Sequence, residues 1–235
     1  MTSNGTPEKQ RLSDRVERRI IGWIVDGRFG TGAALPLERE MAVELGVGRP
    51  TLREATSRLE RDGWITVRKG SATVVNDYLS TGTLNVIPAI IGHPSPVGAA
   101  FVAHMLEIRT VLAPVFIGDA VARDPARVVA TLAEADGLPD DADAFARFDW
   151  EVHRALARLH PNPVFLLILN SFDPFYVALA ARYFAVAENR ESSRQYYRHL
   201  LAAAMDRDAG RARETAVQAL AAAALAWKQT SEDEV

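Results

Sequence analysis

Two short helical segments separated by a glycine turn constrain the fold of this chain more than any other feature. The first covers residues 37–45 and ends at Gly46, and the second begins near Arg49, directly after Gly46-Val47-Gly48. The second segment continues to Gly63, where a glycine again ends the apolar periodicity. Two helices joined by so short a turn predict a helix-turn-helix unit.

The segments on either side extend this unit at both ends. Apolar residues recur at intervals of three and four and predict a first helix over 12–27, with Ser13 as its N-cap. Those apolar residues are Leu12, Val16, Ile20, Ile21, Ile24 and Val25. After Gly63, the β-prone runs 64–67 and 72–75 flank a basic tip and predict a hairpin. Three helices followed by a hairpin are typical of a winged helix-turn-helix domain.

The third helix carries the candidate chemistry of this domain. Its inner face has Leu52, Ala55 and Leu59, and its opposite face has Arg49, Arg53, Ser57 and Arg61. Exposed Arg49, Thr51 and Arg53 at its amino end have the guanidinium and hydroxyl groups that read the major groove of DNA. The hairpin tip Lys69-Gly70-Ser71 would then reach an adjacent groove or the backbone. A surface rich in arginine could also dock on a protein, and this alternative stays open.

The rest of the chain differs in pattern from the first third. Glycines and prolines between 76 and 98 predict a linker with a short helix around 84–91. The predicted domains are a DNA-binding domain at 1–78, a linker at 79–96 and an all-α bundle at 97–235, which makes the fold mainly α. About six helices are expected in the bundle. Their predicted breaks lie at 123–125, 137–141, 160–163, 188–190 and 208–210.

Composition and charge exclude several classes of protein. None of the 235 residues is a cysteine, which rules out disulfides, thiolate metal sites and cysteine nucleophiles. Residues 1–80 carry 13 Lys and Arg against 11 Asp and Glu, whereas the whole chain has a net charge of −3. The start is polar and the apolar runs at 164–169 and 219–227 are short, so neither a secretion signal nor a membrane span is expected. Cytoplasmic placement is the default.

Three stretches of the amino-terminal third carry a family resemblance. Residues 34–40 read ALPLERE, residues 46–54 read GVGRPTLRE, and residues 59–67 read LERDGWITV. They resemble the GntR family of bacterial transcription regulators. The runs Val75-Asn76-Asp77 and Gly82-Thr83-Leu84-Asn85-Val86, together with Arg182-Tyr183-Phe184, are similar to the FadR group of that family, whose members respond to fatty acids.

The resemblance implies how DNA would be bound. The matching DNA-contact positions are Arg39, Arg49, Thr51, Arg53, Gly70 and Thr73, to which the residues of this chain add Pro50, Lys69 and Ser71. Gly48 and Pro50 stand where the family pattern has threonines, and Lys69 stands where it has histidine, so a related but altered operator is expected. Regulators of this group are homodimers on palindromic operators, and a two-fold site follows from a two-fold protein.

The resemblance also implies an effector, long-chain acyl-CoA, in the carboxy-terminal bundle, and no cofactor. Candidate effector-binding residues are Arg109, Asp149, Tyr176, Tyr183 and Trp227. Arg109 and Trp227 match family positions, and the two tyrosines lie seven residues apart on one helix face. Leu220 and Ala223 stand where the group has smaller or hydroxyl-bearing residues near the nucleotide, so coenzyme A could sit differently.

Two alternatives to acyl-CoA sensing remain at this point. Asp149 and His153 match the first pair of a metal set found in related domains, but His199 is one residue out of register and residues 221–224 are all alanine. The effector could instead be another small molecule, such as a carboxylate. An enzyme is not expected, because the chain has no phosphate-binding glycine loop and no nucleophile elbow.

Overall fold

The computed structural model describes residues 7–68 and 71–232 and divides the chain into two compact units, Met1–Gly98 and Ala99–Val235. The described elements are mostly helices, and strands occur only in one small hairpin of the amino-terminal unit. This confirms the predicted fold class, a winged helix-turn-helix domain followed by an all-α domain.

The amino-terminal unit contains the three predicted helices and the hairpin. The helices are α1 (Pro7–Val25), α2 (Glu38–Leu45) and α3 (Arg49–Arg61), and the strands are β1 (Ile65–Thr66) and β2 (Val74–Val75). The strands pair antiparallel, with Ile65 opposite Val75, and are shorter than the sequence predicts. Ala34 forms a bridge with Val74, so the loop before α2 extends the small sheet. Burial of Leu52, Ala55 and Leu59 confirms the predicted inner face of α3.

The predicted start of the first helix is wrong. α1 already includes Pro7, so Ser13 lies inside the helix rather than at its N-cap. Ser13 is fully buried, and its hydroxyl donates a hydrogen bond of 3.1 Å to Glu54 Oε1 on α3. A serine that suits an N-cap is used here as a buried contact between two helices.

Glycine is required at the ends of α2 and α3. Gly46 follows α2 with φ of 64°, and Gly63 follows α3 with φ of 91°, a region that disfavours side chains. A Cβ atom on Gly63 would lie 2.4 Å from the carbonyl oxygen of Thr81. Gly63 therefore also allows the following segment to pack closely against the end of α3.

The segment predicted as a linker contains two short helices, α4 (Tyr78–Thr81) and α5 (Val86–Ile91). Asn85 Nδ2 donates to the buried Asp62 at 3.0 Å, and the Thr81 hydroxyl donates to the Gly63 carbonyl at 2.9 Å. α5 also packs on α1. These contacts attach the segment to the amino-terminal unit.

The carboxy-terminal unit has seven described α-helices rather than about six. They are α6 (Pro96–Arg123), α7 (Pro125–Leu132), α8 (Ala142–Leu159), α9 (Val164–Asn170), α10 (Tyr176–Phe184), α11 (Ala187–Met205) and α12 (Ala209–Glu232). A turn at 171–175, which separates α9 from α10, was not predicted from the sequence. The break predicted at 188–190 lies at 185–186 instead. Asn189 and Arg190 are in the first turn of α11 and donate hydrogen bonds to the last carbonyls of α10.

One described helix is long and apolar enough, by length and composition alone, to cross a membrane. This is the part of α6 at Ala100–Arg123, which the short apolar runs considered above did not include. Phe116, Ile117 and Ala120 of this segment are buried in the core of the carboxy-terminal unit. The same apolar composition therefore serves packing within the bundle.

Candidate DNA-binding face and effector cavity

The amino end of α3 presents an open, basic surface. Arg49 and Pro50 form its first turn and are exposed, and Gly48 at the N-cap has no side chain to cap the helix. The positive end of the helix dipole is thus available to an anion. Arg39 on α2 is also exposed. Of the predicted DNA-contact residues, Arg39, Arg49 and Pro50 are therefore accessible.

Arg53 is exposed as predicted, but it is paired. Its Nε donates to both carboxylate oxygens of Glu38, at 3.0 and 3.1 Å. The Arg53 side chain retains 70% of its accessible surface, so the pair is open to solvent. Exposed pairs contribute little to stability, and a DNA phosphate or base could replace Glu38 at small cost.

The prediction that Thr51 is exposed is wrong. Thr51 keeps only 7% of its accessible surface. It lies four residues before Ala55 and so shares the helix face that packs into the domain. A direct contact of its side chain with DNA would require that this face be uncovered.

The predicted wing is described only in part, because Lys69 and Gly70 lie outside the described residues. Ser71 is exposed, and its N–H donates to the Arg68 carbonyl at 3.3 Å. Thr73 is half-buried, and its carbonyl accepts a hydrogen bond of 2.8 Å from the Leu35 N–H. The base of the wing is thus fixed to the loop before α2.

The carboxy-terminal unit contains a cavity of about 580 Å³ between α6 and α8–α12, which is partly open to solvent. Its walls are mainly apolar. They include Met105, Leu106, Leu112, Phe116, Phe165, Leu169, Phe172 and Leu179. A polar strip from α11 and α12 completes the lining with Ser192, Ser193, Gln195, His199, Thr215 and Gln218. Concave apolar sites with few polar groups are typical of small-molecule binding sites.

All five effector residues predicted from the sequence line this one cavity. Arg109 comes from α6, Asp149 from α8, Tyr176 and Tyr183 from α10, and Trp227 from α12. Four separate helices therefore bring these residues to one cavity. Their role in binding a ligand stays a prediction.

Asp149 is the centre of a buried polar network in the cavity wall. Arg109 Nη2 donates to Asp149 Oδ2 at 2.9 Å, and Tyr197 Oη donates to Oδ1 at 2.9 Å. The Tyr176 hydroxyl also donates to Oδ2. Burial acts to raise the pKa of Asp149, but His153, Arg109 and these hydroxyl donors together lower it below its usual value. Asp149 is therefore ionised and its charge is balanced by Arg109.

His153 has a defined protonation state in the same network. Its Nε2 lies 3.1 Å from Arg109 Nη2. Because a guanidinium only donates, Nε2 must accept, so Nδ1 carries the proton and donates to the Asp149 carbonyl at 2.7 Å. Burial, opposed in part by Asp149, lowers the pKa of His153 to about 4. His153 is neutral at physiological pH.

The sequence reasoning missed two adjacent tyrosines on α11. Tyr197 is fully buried and hydrogen-bonds Asp149, whereas Tyr196 lines the cavity. Tyr196 Oη and Arg109 Nε are buried and have no hydrogen-bond partner among the described residues. Two donors without acceptors in the lining of a cavity are costly unless a ligand or water accepts from them.

The alternative metal site at Asp149 and His153 conflicts with this geometry. Within the described ranges, no three His, Asp or Glu side chains converge as metal ligands would. The Arg109 guanidinium lies within hydrogen-bond distance of both Asp149 and His153. A metal ion bound by these two residues would have to displace Arg109.

Comparison with protein families agrees with this arrangement of two units. Residues 12–75 match the bacterial regulatory proteins of the gntR family, a class of DNA-binding transcription regulators. Residues 76–233 match the FadR C-terminal domain. The chain therefore belongs to the gntR-family regulators that carry a FadR C-terminal domain, which are regulators and not enzymes.

Individual relatives cover most of the chain. It is 38% identical over 184 residues to a fatty acid metabolism regulator protein of Edwardsiella ictaluri, covering 78% of this chain and 77% of the relative. The protein of the same description from Escherichia coli O1:K1 / APEC is 37% identical over 186 residues, covering 79% and 78%. A solved Listeria monocytogenes structure, described as Lar, which controls the agr system, superposes with a TM-score of 0.62 at 18% identity. It covers 93% of this chain and 97% of that one, and it supports the fold alone.

Proposed function

We propose that this protein regulates the transcription of fatty acid metabolism genes in the cytoplasm and releases its operator when long-chain acyl-CoA occupies the cavity. The observation that carries the proposal is the apolar cavity of about 580 Å³ in the carboxy-terminal unit. The relatives described as fatty acid metabolism regulators support the same target genes.

The walls of the cavity suit an acyl chain. Phe165, Leu169 and Leu179 are among the side chains that would contact it along its length. Transfer of each CH₂ group from water contributes about 0.8 kcal/mol. Shifting a regulator from 99% DNA-bound to 1% requires a preference of about 5.5 kcal/mol for the released form. A chain of ordinary biological length supplies more than this, provided that the cavity differs between the two forms.

The polar groups of the cavity suit the head of such a ligand. Arg109 Nε and Tyr196 Oη are donors without partners among the described residues, and a thioester carbonyl would accept from them. At Trp227, the guanidinium of Arg182 lies 5.5 Å from the ring centroid. This aromatic and cationic pair suits the nucleotide portion of coenzyme A.

A carboxylate effector is the second candidate, and Arg109 favours it. A free carboxylate could accept from the same two donors and share the positive charge of Arg109 with Asp149. It would, however, add a second negative charge close to a buried carboxylate, which costs free energy in a low-dielectric site. An uncharged thioester avoids this cost.

The test is a fluorescence-anisotropy titration of the protein on an operator selected from a random-sequence pool. Long-chain acyl-CoA, the matching free fatty acid and free coenzyme A are added separately at constant salt. Release by acyl-CoA alone is the expected result. Release by the fatty acid alone would favour the carboxylate candidate, and release by none of them would contradict both.

A pair of variants on α12 links release to the cavity. Ala223 lines the cavity, whereas Ala221 on the same helix is exposed and does not. We expect Ala223→Phe to bind the operator but to lose most of its response to acyl-CoA, because the ring occupies ligand space. The matched Ala221→Phe variant should respond as the original protein does. If the two variants released the operator equally well on addition of acyl-CoA, the proposal that the effector acts through this cavity would be contradicted.

We also propose that the protein acts as a homodimer on a palindromic operator. The support is that the described part of the chain contains one recognition helix, α3, whereas a palindromic DNA site has two half-sites and needs two such helices in two-fold arrangement. Sedimentation analysis of the protein with and without the selected operator measures this directly. Two chains per operator are expected, and one chain per operator would contradict the proposal.

A further inference from the structure

The outer face of α1 carries four arginines that the DNA-binding face described above does not include. Arg11, Arg15, Arg18 and Arg19 are all exposed. Their spacings of three, four and seven residues place them together on one side of the helix. Val16 and Ile20 on the opposite side are buried in the core of the amino-terminal unit.

Asp14 and Glu17 of α1 do not neutralise this face. Asp14 Oδ1 lies 2.9 Å from Arg58 Nη1, and Glu17 Oε2 lies 2.9 Å from Arg58 Nε. Both carboxylates are thus turned toward α3. The four outer arginines form no ion pair with any residue in the part of the chain that the structure describes. Like charges one turn apart destabilise a helix by a few tenths of a kcal/mol per pair, and this face has no counter-charge among the side chains that the structure describes.

The direction of α1 places this face near the reading end of the domain. Ser13 contacts Glu54 and Glu17 contacts Arg58, so both contacts join residues 41 positions apart. A constant separation means that α1 and α3 run side by side in the same direction. Their amino ends, which carry the positive ends of the helix dipoles, therefore lie on the same side of the domain.

We propose that Arg11, Arg15 and Arg18 bind backbone phosphates of the DNA that flanks the segment read by α3. The face is directed away from α3, so it would reach phosphates beside the groove rather than base edges within it. Arginine forms charge-assisted and often bidentate hydrogen bonds with phosphate. This inference rests on DNA binding by the amino-terminal unit and does not depend on the identity of the effector.

An acidic protein surface is the competing partner for a basic helix face. The shared direction of α1 and α3 favours DNA as the partner. A duplex held at the amino end of α3 lies on the same side of the domain as the amino end of α1. An acidic protein would bind this face whether or not DNA extends past the operator. The length of the duplex therefore distinguishes the two partners.

The experiment compares a short duplex that ends at the selected operator with one extended by a helical turn on each side. The variant is Arg11→Gln, Arg15→Gln and Arg18→Gln in the full chain. The matched control replaces three exposed arginines of the carboxy-terminal unit, Arg123→Gln, Arg127→Gln and Arg158→Gln, and changes the net charge equally. Affinity is measured by anisotropy over a range of salt concentrations, and thermal melting checks that each protein is folded.

We expect the original protein and the control to bind the extended duplex more tightly, and the α1 variant to lose that gain. On the extended duplex, the slope of log K against log salt should fall by about one for each phosphate contact removed. Equal salt slopes for the α1 variant and the control would overturn the proposal. The proposal would also be overturned if the α1 variant gained as much affinity from extension of the duplex as the original protein does. Failure of the original protein to bind either duplex would refute DNA binding as well, whereas a negative acyl-CoA titration would leave this result intact.

Discussion

The two units of this protein use arginine in opposite ways. Arg53 on the recognition helix is paired with Glu38, and the two side chains keep 70% and 38% of their accessible surface. Arg109 in the bundle is paired with Asp149, and these side chains keep 19% and 6%. The chemistry of the ion pairs is the same, but their solvation differs.

Solvation decides what each pair can do. Water and salt already compete for the exposed pair, so DNA can take the place of Glu38 without a large loss of stability. The buried pair has no such substitute, because Asp149 accepts from Arg109, Tyr176 and Tyr197 at once. The amino-terminal pair is suited to exchanging partners, and the carboxy-terminal pair is suited to holding helices in register around the cavity.

The largest expected effect follows from removing the buried charge of Asp149. Asp149→Asn leaves Arg109 without its counter-charge in the interior, and breaking a buried pair in this way costs about 3–5 kcal/mol. The free energy of unfolding from urea titration, followed by a signal of the carboxy-terminal unit, measures the loss. Glu38→Gln, which breaks the exposed pair, should cost about 1 kcal/mol or less. Similar losses of unfolding free energy in both variants would contradict the conclusion that the buried pair contributes more to stability than the exposed pair.

The next effect is a dependence of stability on pH that arises from His153. Its pKa is about 4 in the folded chain, below the ordinary 6.5, so the unfolded chain binds its proton first as pH falls. Stability is therefore complete above pH 6.5 and decreases between pH 6.5 and 4, by up to about 1.4 kcal/mol per pH unit.

Thermal melts at several pH values compare the original protein with His153→Gln. Glutamine is uncharged over the whole range, so the variant should be less stable at pH 7 and should lose this part of the pH dependence. A variant that keeps the full slope between pH 6.5 and 4 would assign the dependence to other groups.

A smaller effect concerns the exposed pair and DNA. Arg53→Ala should weaken operator binding by about 1–3 kcal/mol, the range for a groove-reading arginine, and leave the melting temperature almost unchanged. Arg123→Ala, an exposed arginine of the other unit, is the control. Anisotropy at constant salt measures both. If Arg53→Ala bound the operator with unchanged affinity, Arg53 would not be a DNA-contact residue.

The sequence predicts the amino-terminal unit well because its signals are local. Glycines at 46 and 63 end α2 and α3, and the spacing of Leu52, Ala55 and Leu59 identifies the inner face correctly. The errors at Ser13 and Thr51 share a cause. Small hydroxyl side chains suit helix caps and exposed positions, but tertiary contacts buried both of them.

The cavity is harder to predict, because it depends on contacts between distant helices. Arg109 and Asp149 are 40 residues apart, and no spacing in the sequence indicates that they pair. Family resemblance and residue spacing together indicated five residues that line the cavity, yet neither indicated Tyr196 or Tyr197. Adjacent residues on a helix differ by 100° in direction. The sequence therefore does not show that the Tyr197 hydroxyl reaches Asp149 while Tyr196 lines the cavity.

These two tyrosines allow the smallest of the predicted effects to be measured. The Tyr197 hydroxyl donates to Asp149, whereas the Tyr196 hydroxyl has no partner among the described residues. Tyr196→Phe should leave stability unchanged or slightly higher and weaken acyl-CoA binding by about 1 kcal/mol, the net value of one hydrogen bond. Tyr197→Phe should instead lower stability, because Asp149 loses a donor. Melting curves and acyl-CoA titrations of both variants separate ligand recognition from support of the network, and a loss of stability in Tyr196→Phe without weaker binding would place its hydroxyl in the network instead.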